Sequence, residues 1–219
     1  MEYFTILLDQ SGSMHAMGNE PIQAVNGFVE EQKRGRDPST YDNVFFSLYT
    51  FDNSVKNVYN KVKLSEVQPY NEFEPGGMTA LYDAIHQTAN DLANQEGKIN
   101  IIIITDGANN AGQHTLRETR KLIADKTKEG WNFVYLGANQ DSFASGSQLS
   151  VNQTQNFCSN NLNSMVRDIS SQMTPLRLPV VEPQGRPHER LLLHQVEERA
   201  RVEVARLLGV ATPHPSSTK

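Results

Sequence analysis

The sequence holds a single cysteine, Cys158, among its 219 residues. One thiol closes no intramolecular disulfide, and a zinc site built on several cysteines is excluded. Cys158 is expected to sit in the interior as a small hydrophobe. The lack of disulfide chemistry favours a reducing, intracellular setting, and the expected location is cytoplasmic. Long apolar runs are missing as well. The longest purely aliphatic stretch, Ile101 to Ile104, is strand length, far short of the ~18–20 residues that cross a bilayer. No membrane partner is therefore expected. The opening residues lack a basic segment followed by an apolar one, so they read as a strand and not as a secretory leader. Basic clusters are also scarce. Net charge is −5 and unevenly spread: residues 1–175 carry 13 Lys and Arg against 20 Asp and Glu. An acidic body of that kind argues against a nucleic-acid backbone as the main partner.

What is present is the composition of a globular chain, with 37% hydrophobic and 21% charged residues. The length suits one domain of ~100–200 residues with an appendage. Strand-like runs fall at Tyr3 to Leu8, Asn43 to Phe51, Ile101 to Thr105 and Asn132 to Leu136. Ser54 to Tyr59 alternates and reads as an edge strand, and Asn152 to Phe157 is a weaker final run. Between them lie helical faces: Ile22, Val25 and Val29 after Pro21; Leu81, Ile85, Thr88 and Leu92; Leu116, Ile123 and Ala124; Leu162, Met165, Val166 and Ile169. Strands alternating with helices imply right-handed crossovers and a mostly parallel sheet. The expectation for residues 1–174 is a doubly wound α/β domain flanked by helices, with one antiparallel edge strand.

In open α/β sheets ligands sit beyond the carboxyl ends of the strands. The first strand ends in Asp9-Gln10-Ser11-Gly12-Ser13, and the central apolar strand ends in Thr105-Asp106-Gly107. Alternation in the first of these turns lets Asp9, Ser11 and Ser13 point three oxygens into one space. Between the two, Gly76-Gly77-Met78-Thr79 supplies another hydroxyl just before a helix. An all-oxygen set without imidazole or thiolate suits Mg²⁺, with Mn²⁺ the other ion such donors accept. Asp9 and Ser11 taken alone also fit a turn or helix cap, and Thr79 alone fits an N-cap. Asp52 reads as a turn former, His15 as a solvated loop residue, and Met14 and Met17 as a partner-facing rim.

These residues resemble the von Willebrand factor A family and its metal-ion-dependent adhesion site. The family's five positions map onto Asp9, Ser11, Ser13, Thr79 and Asp106, in order and in matching strand and helix context. The resemblance covers residues 1–174 and leans toward compact bacterial and phage members. It implies that Ser11 and Ser13 touch the metal directly and that Asp9 often acts through water. Thr79 and Asp106 would exchange direct and water-mediated roles. It further implies a protein partner whose Asp or Glu completes the coordination shell. The competing expectation is a structural or assembly protein whose metal site is empty or purely structural.

Enzyme readings fare poorly. A haloacid dehalogenase pattern needs a second Asp where Ser11 stands, so its general acid/base is missing. No His pairs with Ser11 or Ser13 as a base, and no phosphate-binding or dinucleotide fingerprint is present. A binding module, not an enzyme, is expected. From Pro175 the composition changes: Pro175, Pro179, Pro183 and Pro187 mark 175–187 as an extended linker. Residues 188–219 read as a charged helix with a disordered end. Leu193, Val196, Ala200, Val204 and Leu207 form its apolar stripe, either docked on the domain or pairing with itself or a partner. The first 175 residues contain 19 Asn and the last 44 none, which suggests a different origin for the tail.

Overall fold

A computed structural model describes residues 1–138, 147–158 and 161–174. The chain divides into two units, Met1–Arg177 and Leu178–Lys219, and every described residue belongs to the first. The expected linker and amphipathic tail helix lie outside the described residues.

The central sheet has six strands: β1 (Glu2–Asp9), β2 (Val44–Phe51), β3 (Val55–Lys63), β4 (Lys98–Thr105), β5 (Asn132–Gly137) and β6 (Gln153–Asn156). Their order is β3-β2-β1-β4-β5-β6. Every neighbouring pair is parallel except β2 with β3. β3 runs on to Lys63, beyond the expected Tyr59, and its residues are half-buried or exposed, as an edge strand allows. β1 and β4 are buried along nearly their whole length, which explains their unbroken apolar runs.

Among the helices of the described residues, four cover the two faces: α1 (Glu20–Arg34), α2 (Leu81–Leu92), α3 (Leu116–Lys128) and α4 (Leu162–Met173). Strand periodicity of two separates the core into two clusters. Phe4, Ile6, Leu8, Ile102 and Ile104 join Val25, Phe28, Val166 and Ile169 of α1 and α4. Tyr3, Leu7, Ile101 and Ile103 join Leu81, Ile85, Leu92 and Ile123 of α2 and α3. Helix α1 carries Pro21 in its first turn, where a missing N–H costs nothing. Helix α3 departs from the expected face: only Thr119 and Ile123 are buried, and Leu116 and Ala124 are half-buried. Its start is set instead by a capping box between Thr115 and Glu118.

Two expectations are corrected. Cys158 is exposed. Its N–H donates to Asn161 Oδ1 in the turn before α4, and the adjacent Phe157 takes the interior position at 3% exposure. Met14 is fully buried within the α1–α4 cluster, and Met17 packs against that cluster half-buried, so neither forms an outer rim. No helix among the described residues is long and apolar enough to cross a membrane.

Candidate metal centre

After β1 the chain turns to one side of the sheet, and after β4 to the other. Loops diverge at such a switch point and leave a crevice beyond the strand ends. Register places the two acidic strand ends together there, with Leu8 opposite Ile104, so that Asp9 follows on one strand and Thr105-Asp106 on its neighbour. A one-residue slip would turn these side chains to the opposite face.

Asp9 is fully buried. Its Oδ1 accepts from the Ser11 N–H at 2.7 Å, and its Oδ2 accepts from Thr105 Oγ1 at 2.5 Å. Ser11 and Ser13 share a hydroxyl–hydroxyl bond of 3.1 Å. Ser13 Oγ in turn donates to Asp106 Oδ1 at 2.6 Å, bridging 93 positions of sequence. Thr79 lies alongside. Gly107 has no side chain, and a Cβ placed there would stand 3.7 Å from Thr79 Oγ1 and 3.9 Å from Ser13 Oγ. Those two hydroxyls therefore border one small space. All five expected residues converge on the crevice.

Burial and bonding explain the local electrostatics. Asp9 is pushed up from 3.8 to about 6, chiefly by burial. The bonds from Thr105 and Ser11 pull it back, and the nearby Asp106 charge adds to the rise. Burial also raises Asp106, with the Ser13 bond opposing. Two carboxylates thus share a site that disfavours their ionised forms. A divalent cation bound there would offset that cost. Thr79 adds to the fit: it is only 2% exposed, yet its Oγ1 has no hydrogen-bond partner among the described residues. The donors are all oxygens, and the described residues hold no cluster of three or more His, Cys, Asp or Glu. That chemistry suits a hard ion and not zinc in a thiolate or imidazole cage.

The loops are tied into one unit. Gly12 N–H donates to the Gly77 carbonyl at 3.2 Å, and Gly76 N–H to the Gln10 carbonyl at 2.8 Å. Thr79 N–H donates to Asn110 Oδ1 at 2.7 Å, while its carbonyl accepts from the N–H groups of Asn110 and Ala111. Thr79 is not the N-cap of α2. Ala80 holds that position without a side-chain bond, and Asn109 Oδ1 accepts from the Tyr82 N–H instead. The Asp9–Ser11 bond is an Asx-type turn, so the turn reading and the site reading hold together. Asp52 likewise closes a turn onto Ser54, and His15 is exposed. Sequence reasoning missed Thr105, Asn109 and Asn110. A threonine one residue before a strand-end aspartate and two asparagines soon after it are the signals that stood there.

No protein-family model matches the sequence, and no curated protein matches it. Solved structures do. A von Willebrand factor type A protein from Catenulispora acidiphila matches at a TM-score of 0.59 and 14% identity, over 78% of this chain and 42% of its own. The chain has a von Willebrand factor A fold. Proximal thread matrix protein 1 from the mussel byssus, solved with a zinc-occupied MIDAS motif, matches at 0.58 and 17% identity, over 78% and 45%. The vWF domain of the type V pili tip protein Mfa5 from Porphyromonas gingivalis matches at 0.60 and 11% identity, over 83% and 98%. The chain spans less than half the length of the first two of these proteins. At such identities the von Willebrand factor A likeness is one of fold, and the chemistry rests on this chain's own residues.

Proposed function

We propose that residues 1–174 form a metal-dependent protein-binding module, in which Asp9, Ser11, Ser13, Thr79 and Asp106 hold a Mg²⁺ ion. The observation that carries this reading is the bonded series Asp9–Ser11–Ser13–Asp106, with the unpartnered Thr79 hydroxyl beside it. When bound, the metal supplies a Lewis-acidic centre that attracts an outside carboxylate. Both Asp9 oxygens are already engaged within the fold, so Asp9 serves as an outer carboxylate that orients the turn and balances charge. Ser11, Ser13 and Thr79 bring neutral oxygens, which leaves positive charge uncompensated at the site. An Asp or Glu of a partner protein is the ligand that answers it. This is binding and not catalysis, and a cytoplasmic setting accords with the single cysteine.

A second reading is an assembly module whose metal site is empty or purely structural. The Ser13–Asp106 bond favours it, because the donor set closes on itself without an ion. Calorimetry separates the two. One Mg²⁺ or Mn²⁺ site is expected, lost in the Ser11→Ala/Ser13→Ala double variant. Capture of a partner from native extract should vanish with chelator. A partner retained equally in chelator would show that recognition uses another surface.

A further inference from the structure

Among the described residues, three loops border the crevice: residues 10–18, 75–80 and 107–113. They contain no Asp, Glu, Lys or Arg, in a chain that is 21% charged. Depletion of charge is the compositional mark of the centre of a protein interface, where methionine is enriched. One methionine stands out on that rim. Met78 is 51% exposed, and among the described residues the only other large hydrophobic so exposed is Met1, at the start of the chain. A lone exposed methionine is ordinary on a protein surface. Met78 is set apart by where it stands and how it is held. It directly precedes Thr79, whose unpartnered hydroxyl faces the crevice. Its N–H donates to Asn53 Oδ1 at 3.0 Å. Gly77, at φ +72°, packs its α-carbon against the Asn53 amide so closely that a Cβ there would lie 2.7 Å from it. The Gly77 carbonyl accepts from Gly12, and the Ala80 N–H donates to the Asp52 carbonyl at 2.7 Å. The backbone is thus pinned on both sides of an apolar side chain that the fold leaves in water.

We propose that Met78 is an apolar anchor for the partner, and that the partner brings an acidic side chain to the metal with a bulky apolar side chain one or two residues away. This rests on the metal-binding reading above and specifies its ligand. Spacing supports it: Thr79 and Met78 are adjacent residues, ~3.8 Å apart at their α-carbons, and an extended segment advances ~3.3–3.6 Å per residue. Methionine suits the role because its unbranched thioether adapts to differing apolar shapes. Pre-pinning of the loop removes ordering cost on binding.

A displayed library of random peptides, selected on the immobilised full chain in Mg²⁺ and again in chelator, tests this. In Mg²⁺ the selected peptides should carry Asp or Glu with Leu, Ile, Met, Phe or Trp within two residues. Synthetic copies should bind Met78→Ser roughly tenfold more weakly, a loss larger than any accompanying change in Mg²⁺ affinity. Metal-dependent selection of acidic peptides with no apolar neighbour would overturn the anchor and leave the metal reading standing. Equal binding to Met78→Ser would do the same. Peptides selected equally in chelator would overturn both.

Discussion

The sharpest consequence of the crevice is that, without metal, Asp9 works against the fold. Its carboxyl is raised from 3.8 to about 6 by burial, and every tenfold change in proton affinity is worth about 1.4 kcal/mol. Ionised Asp9 thus costs the metal-free protein up to about 3 kcal/mol. A raised carboxyl favours the folded state below its ordinary value of 3.8, and that advantage is lost as pH climbs through about 6. Asp9→Asn removes the charge and keeps the shape. Its carbonyl still accepts from the Ser11 N–H, while its amide donates to Thr105 Oγ1, which then donates to the Gly107 carbonyl at 3.2 Å. Weaker neutral bonds take back part of the gain, leaving a stabilisation of about 1–2 kcal/mol in chelator at pH 7.5. In a domain of this size that is roughly 2–4 °C in Tm per kcal/mol. At pH 4 the difference should disappear. Saturating Mg²⁺ should reverse the ranking, because wild type gains about 2.7 kcal/mol at a hundredfold excess over Kd and the variant gains little. Thermal unfolding at both pH values, with Mg²⁺ and with chelator, reads all of this. An Asp9→Asn protein that is less stable than wild type in chelator at pH 7.5 would refute the reasoning.

Two further outcomes are expected. Asn110→Ala removes the acceptor that holds Thr79 N–H at 2.7 Å. It should cost about 1–2 kcal/mol in urea unfolding and weaken Mn²⁺ binding, whereas Asn110→Asp, which keeps the acceptor, should lose less of both. A chain stopped after Thr174 should fold and bind metal with unchanged affinity by calorimetry, since every metal-centre residue lies at or before Asp106 and α4 already completes the α1 face. Failure of the truncated chain to fold would show that the tail completes the core.

Much of this protein was legible before any tertiary contact was known. Local periodicity is a property of neighbouring residues, and it located β1, β2, β4, β5 and helices α1 to α4. The apolar runs Tyr3 to Leu8 and Ile101 to Thr105 lead into Asp9 and Asp106, which mark the crevice. Short-range spacing did less well where a face is mostly wet. Helix α3 buries only Thr119 and Ile123, so its amphipathic pattern carried little information about packing. β3 extends past its alternating core because an edge strand needs only one hydrogen-bonded neighbour.

Strand order and register lay beyond the reach of local pattern. Nothing within seven residues of Asp106 says that Ser13 will donate to it across 93 positions. That bond exists because β1 and β4 are adjacent with Leu8 opposite Ile104. The same adjacency makes Thr105 a partner of Asp9 and lets Asn109 and Asn110 grip the start of α2. Exposure of single side chains was decided at this level too. Met14 is buried because it packs into the α1–α4 core, Met78 is exposed on a loop pinned on both sides, and Cys158 is exposed beside the buried Phe157. Residue type sets what a side chain prefers. Only the packed neighbours around it determine whether that preference is met.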